Sequence, residues 1–210
     1  MSKRLEIILS ELSVCDTFAD IGCDHGYVAK AMLDAKKCNR VIVSDISAEC
    51  LQKAENLLKK TYPDKFCAVV SDGFEKVGKC DLALIAGMGG ELIVNIIEKA
   101  MVLPDKLVLQ PMKNADKVRR ALISSGYKIV RDYTFEDEKF YDIISAEKGN
   151  DFYTDEEYEF GRDNLKEKGY AFCCVIENKI NKLMKAAEKA GDSGKRDCSK
   201  KIKIYTEILK

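Results

Sequence analysis

The chain carries a single histidine, His25, and none of its nine cysteines falls into a C-x-x-C pair. Zinc sites and redox couples draw on that spacing, so neither is expected, and a lone histidine has no second imidazole with which to share a metal. Apart from the adjacent Cys173-Cys174 the cysteines are scattered, which predicts reduced, mostly buried thiols. Net charge is also missing, since 35 basic residues face 35 acidic ones. Any affinity for nucleic acid must therefore come from local clustering of Lys and Arg. No apolar run approaches the roughly 18 residues of a membrane span, and the first residues lack the apolar stretch and cleavage site of a signal peptide. Internal repeats and low-complexity tracts are absent. The expectation is a soluble, cytoplasmic monomer without metal, whose 210 residues hold one α/β core and a smaller appendage.

What is present is organised around Phe18-Ala-Asp-Ile-Gly-Cys-Asp-His-Gly26, which reads as a buried strand ending in a glycine turn that opens a helix. Strands are predicted at 17–21, 39–46, 66–71, 81–86 and 107–110, the last stopped by Pro111. Helices are predicted at 2–14, 27–37, 91–101 and 115–124, with another after Ser47. That alternation specifies a mostly parallel sheet covered on both faces. The rhythm then changes. Segments 127–133 and 140–147 are joined by Glu136-Asp-Glu138, too short for a parallel crossover, so they must pair antiparallel. The fold class is α/β, a Rossmann-like, seven-stranded sheet ending in an antiparallel hairpin.

Residues 1–150 thus form the cofactor-binding domain and 151–210 a helical hairpin. Thr154-Asp-Glu-Glu157 is a capping box, and Gly169 interrupts the helix it opens. Ile176, Ile180, Leu183 and Ala187 form one apolar stripe, Gly191 to Gly194 reverse the chain, and Ile202, Tyr205 and Leu209 form a second.

A dinucleotide turn needs G-x-G-x-x-G, with the middle glycine admitting a pyrophosphate. Here Gly22 and Gly26 flank Asp24 at that position. A carboxylate there repels phosphate by roughly 1 to 4 kcal/mol per charge pair, depending on local dielectric. S-adenosylmethionine has no phosphate, and its sulfonium and ammonium groups suit Asp20 and Asp24. Asp45, with Ile46 beside it, ends the second strand and is placed to accept both ribose hydroxyls; alternatively it is a helix-start acid beside Ser47. Asp72, followed by Gly73, either accepts from the adenine amino group or makes an ordinary Asp-Gly turn. His25 either touches the cofactor or the incoming base, or bonds its own backbone. Gly87-Met-Gly-Gly90 would let a flat base approach the backbone closely.

Asp20-Ile-Gly-Cys-Asp-His-Gly-Tyr27, Ser71-Asp-Gly73, Ile85-Ala-Gly-Met-Gly-Gly90 and Leu107-Val-Leu-Gln-Pro111 together resemble the bacterial tRNA (adenine(22)-N1)-methyltransferase family. The resemblance covers most of residues 1–148. It implies a class I methyltransferase sheet with a C-terminal coiled coil, and methyl transfer from S-adenosylmethionine to N1 of a tRNA adenine, with Met88, Gly89, Gln110 and Pro111 near the reacting base. The chain departs from the family pattern at Gly26, Met112 and Arg162. Residues 162–210 hold thirteen Lys or Arg against seven acids, so Lys179, Lys182 and Lys185, with Arg119 and Arg120, are the candidates for tRNA phosphate contacts. A small-molecule methyltransferase and a non-catalytic cofactor-binding protein are the competing readings.

Overall fold

Apolar strands need cover on both faces, and the chain supplies it by alternating strands with helices. The computed structural model describes residues 2–210. Helix α1 (Lys3–Glu11) leads into β1 (Thr17–Ile21), followed by α2 (Tyr27–Asp34), β2 (Arg40–Asp45), α3 (Ala48–Lys59), β3 (Phe66–Val70), β4 (Leu82–Met88), α4 (Gly90–Lys99), β5 (Lys106–Pro111) and α5 (Ala115–Ser124). The first five strands are mutually parallel. Strands β6 (Tyr127–Asp137) and β7 (Lys139–Lys148) complete one seven-stranded sheet in the order β3-β2-β1-β4-β5-β7-β6, with β7 antiparallel to both neighbours. One apolar cluster, with Ile85, Ile93 and Val118, lies on one face; a second, with Phe18, Met32 and Leu58, lies on the other.

Several elements differ from the sequence expectation in extent. The hairpin strands run on until Asp137 faces Lys139, and Glu138 turns the chain with φ 59°. Cross-strand bonds such as Thr134 Oγ1 to Asp142 Oδ1 at 2.7 Å carry the ladder through residues read as loop. Strand β4 continues through Gly87 and Met88 across a bulge, and Pro111 belongs to β5 opposite Met88. The thiols are less buried than expected: only Cys23, Cys38 and Cys80 are buried, and Cys67 is exposed. No helix among the described residues is long and apolar enough to cross a membrane.

The tail begins with α6 (Asp155–Phe160), whose capping box at Thr154 and Glu157 is formed, and α7 (Arg162–Glu167). Helices α8 (Tyr170–Lys189) and α9 (Asp192–Ile208) make the hairpin. Its connection is shorter than expected, because Asp192, Ser193 and Gly194 already belong to α9. The chain also breaks at Gly161, ahead of the expected break at Gly169. At φ 87° a Cβ on Gly161 would lie 2.8 Å from Asp132 Oδ1 and 3.0 Å from Arg119 Nη2, so only glycine lets the tail close over that pair.

Arg119 is therefore not available to RNA, which corrects its assignment as a phosphate contact. The Arg119 and Asp132 side chains are each 1% exposed, and the guanidinium binds the carboxylate with bonds of 2.8 and 2.9 Å. Nη1 also donates to the Tyr158 carbonyl at 3.2 Å, which ties α5 and β6 to α6. Burial opposes the charge, but the carboxylates of Asp132 and Asp142 outweigh it and hold the guanidinium above its ordinary pKa. Breaking a buried pair from one side strands a charge and costs roughly 3–5 kcal/mol. Arg119→Gln should lower unfolding free energy in urea by about that amount, whereas the double change Arg119→Met with Asp132→Leu should cost clearly less.

Candidate active site

A cavity of about 810 Å³ opens where β1, β2 and β4 end. Asp20, Gly22, Asp24, His25, Asp45, Ile46, Asp72, Gly73, Gly87 and Met88 all line it. Parallel strands explain the meeting, since residues at the carboxyl ends of adjacent strands share one edge of the sheet.

The turn after β1 is set by backbone geometry. Gly22 has φ 72°, and a Cβ there would fall 2.0 Å from Met88 Cε, so the Met88 side chain lies directly against the glycine. Asp24 adopts φ 46°, uncommon for a residue with a side chain. Its amide donates to Asp45 Oδ2 at 3.2 Å, while Asp45 Oδ1 accepts from Ser47 N–H at 2.9 Å. One carboxylate thus knits together the loops that follow β1 and β2. It also serves as the helix-start acid, and both oxygens keep lone pairs for ligand hydroxyls. The Asp24 carboxylate lies 2.8 Å from His25 Nδ1, and the His25 ring stacks on Tyr27 with centroids 5.4 Å apart. After β3, Ser71 Oγ donates to the Gly73 carbonyl at 3.1 Å and accepts from Lys76 N–H at 3.0 Å, fixing the Asp72-Gly73 turn.

Asp20 stands apart energetically. It is 4% exposed, and its Oδ2 has no hydrogen-bond partner among the described residues. Ser44 Oγ is similarly unpartnered, but of the two residues only Asp20 lines the cavity. Burial pushes the Asp20 carboxyl up to about 7; the Ala29 backbone N–H pulls the other way, and the Asp45 charge adds to the rise. A buried carboxylate with a vacant oxygen costs stability until a donor or cation meets it. These acceptors therefore fit a ligand bearing an ammonium group and hydroxyls.

Other expected residues lie elsewhere. Gln110 is fully buried: its Oε1 accepts from Gly87 N–H at 3.2 Å and its Nε2 donates to the Pro111 carbonyl at 3.1 Å. It therefore shapes the bulge at the end of β4 and does not line the cavity, nor do Gly89 and Pro111. Gly90 has a packing role, because a Cβ there would meet the Asn114 carbonyl at 2.4 Å. Arg120 is at the surface, 3.1 Å from Asp155 and stacked over Tyr158. On α8, Lys182 and Lys185 are exposed, while Lys179 sits over the rings of Phe160 and Tyr205. None of these basic residues lines the cavity. Sequence reasoning missed two walls. The start of α1 contributes Ser2, Arg4, Leu5 and Ile8, and the hairpin tip contributes Asp137, Glu138 and Tyr141. Among the described residues no group of three His, Cys, Asp or Glu side chains could hold a metal ion.

Comparison with known proteins places this geometry. The tRNA (adenine(22)-N(1))-methyltransferase of Bacillus subtilis is 30% identical over 157 residues, 71% of this chain and 66% of that protein. A Mycoplasma pneumoniae protein provisionally named a tRNA methyltransferase is 34% identical over 133 residues, 61% of this chain and 62% of its own length. The chain thus spans less than two-thirds of the length of these curated relatives. Among solved structures, Streptococcus pneumoniae Sp1610 in complex with S-adenosyl-L-methionine, provisionally assigned as a tRNA (m1A22) methyltransferase, has a TM-score of 0.89 at 27% identity, covering 100% of both chains. A Streptococcus agalactiae protein of the NADB-Rossmann superfamily has a TM-score of 0.90 at 26% identity, covering 100% of this chain and 97% of that one. A family described as a methyltransferase domain matches residues 1–144, a span that contains every residue lining the cavity; the chain belongs to that methyltransferase-domain family.

Proposed function

We propose that the protein transfers a methyl group from S-adenosylmethionine to N1 of an adenine in tRNA, of the position-22 type. The observation that carries this reading is the buried Asp20 carboxylate, one oxygen of which has no partner among the described residues, in the lining of an acidic cavity at the carboxyl edge of the sheet. It is supported by the activity in the name of the Bacillus subtilis relative and by the ligand bound to Sp1610. When bound, S-adenosylmethionine supplies an electrophilic methyl group on a sulfonium.

In this reading Asp20 and Asp24 hold the cationic head, Asp45 accepts from the ribose hydroxyls with Ile46 against the adenine, and Asp72 accepts from the adenine amino group. Gly22 keeps Met88 folded against the turn, and Gln110 aims the Gly87 amide; these residues shape the face that meets the target base. N1 of a neutral adenine already carries a lone pair, so the protein's task is alignment more than proton removal. Orienting two bound partners can lower a barrier by roughly 7–11 kcal/mol. The acidic wall favours the positive charge of an N1-alkylated adenine. Because N1 lies on the Watson–Crick edge, the target base must be unpaired or flipped out. Lys182 and Lys185 on α8 offer free ammonium groups to RNA phosphates.

Purified protein incubated with labelled S-adenosylmethionine and unmodified tRNA should yield labelled 1-methyladenosine on nucleoside digestion. Cofactor binding without transfer to any tRNA would favour a small-molecule substrate instead. Charge reversal of Lys182 and Lys185 together should weaken tRNA binding and lower its log–log salt slope by roughly 1 to 2. The raised pKa of Asp20 sets a pH dependence. In the free protein its contribution to stability declines as pH rises from the ordinary carboxylate value of 3.8 toward about 7, because the folded state holds the proton more tightly. A cationic ligand selects the ionised form, so affinity for S-adenosylhomocysteine should rise by up to about tenfold per pH unit below pH 7 and level off above it. Calorimetry on Asp20→Asn should show weak binding with that dependence gone.

A further inference from the structure

The cavity wall is acidic with one exception. Asp20, Asp24, Asp45, Asp72, Asp137 and Glu138 line it, and among the described residues Arg4 is the only Lys or Arg that does. Arg4 sits on the first turn of α1, where two backbone donors are already engaged: its own N–H donates to Asp137 Oδ2 at 2.9 Å and the Leu5 N–H to Ser2 Oγ at 3.3 Å. The helix start is therefore no open anion site. The Arg4 guanidinium, by contrast, has no hydrogen bond and no carboxylate within 4 Å among the described residues, although the side chain is half-buried. It lies 5.5 Å from the centre of the Tyr141 ring. Its Nη2 is 3.0 Å from where a Cβ on Gly87 would stand, so the glycine at φ 76° leaves room for the guanidinium against the bulge at the end of β4.

This placement is built rather than incidental. The Asp137 carboxylate fixes the backbone of Arg4, Tyr141 supports the face of its guanidinium, and Gly87 clears its approach. A planar fork of five donors, held in place and left unpaired, is matched to a two-oxygen anion. Among six carboxylates it is also the one lining residue, histidine aside, that can offset the repulsion such an anion would meet.

We propose that Arg4 is the oxyanion anchor of the cavity, receiving a carboxylate or phosphate group of a bound reactant beside the Gly87 turn. This rests on the proposed methyltransferase function, which brings two such oxyanions to the site: the α-carboxylate of the cofactor's amino-acid head and the phosphate of the target nucleotide. Arg4 is a binding residue in either case, and it takes no part in bond making.

The full chain and its Arg4→Gln and Arg4→Lys variants should be titrated with S-adenosylhomocysteine, with 5′-methylthioadenosine, which lacks the amino-acid head, and with tRNA at two salt concentrations. A Kd for S-adenosylhomocysteine raised about tenfold in Arg4→Gln, equivalent to about 1.4 kcal/mol, with methylthioadenosine unchanged and partial recovery in Arg4→Lys, identifies the cofactor carboxylate. Unchanged cofactor binding with tRNA weakened about tenfold and a salt slope reduced by about one charge identifies the phosphate. Equal loss for all three ligands, or no change for any, overturns the proposal, because the residue then only packs α1 or does nothing. Failure of the unaltered chain to bind S-adenosylhomocysteine at all would instead sink the methyltransferase reading.

Discussion

A carboxylate that is buried without a full set of partners is an expensive thing for a sheet edge to carry, and Asp20 is such a group. Its neighbours are arranged around it: Asp45 adds negative charge, the Ala29 amide gives partial relief, and one oxygen is left without a partner among the described residues, in a residue that lines the cavity. An unligated protein carries that cost as raised proton affinity, and a cationic ligand removes it. Residues held away from their comfortable state in a cleft are characteristic of binding sites. The positive φ of Asp24, fastened by the Asp45 carboxylate, belongs to the same arrangement. Stability is given up locally so that one class of ligand is preferred.

A second buried charge has the opposite character. Arg119 and Asp132 satisfy each other, and the remaining guanidinium donors reach the tail backbone at Tyr158. Around them, Asn164 bonds to Thr134, Asp163 to the Asp132 amide, and Arg162 to Asp151. These polar ties, together with Tyr153 and Tyr158 packed on the apolar core, fasten α6 and α7 to the hairpin edge of the sheet. Beyond them α9 has no buried residue, and its contact with α8 rests on a small cluster around Phe160, Phe172 and Ile176. Lys182 and Lys185 on α8 are exposed.

Much of this was legible in the chain. Asp20, Asp24, Asp45 and Asp72 could be grouped because residues at parallel strand ends converge without any knowledge of side-chain packing. What was not legible depended on tertiary docking. Leu5, Ile8 and Leu12 announce an amphipathic helix, but nothing local says that Arg4 will stand over Gly87, a placement fixed by Asp137 more than a hundred residues away. Arg119 reads like any helix-surface arginine until Asp132 appears opposite it. The family resemblance sets Gln110 near the reacting base, yet its side chain turns inward to hold the Gly87 amide. The glycine cluster at 87–90 likewise divides its duties between clearance for Arg4 and contact with Asn114.

The central claim is that Asp24 in place of a middle glycine, together with Asp20, makes the turn after β1 a site for a cation and not for a dinucleotide pyrophosphate. Calorimetric titration of the purified protein with S-adenosylmethionine and, separately, with NAD⁺ tests it most directly. The account predicts saturable binding of S-adenosylmethionine and no measurable binding of NAD⁺ at the same concentrations. Binding of NAD⁺ as tight as, or tighter than, that of S-adenosylmethionine would contradict it.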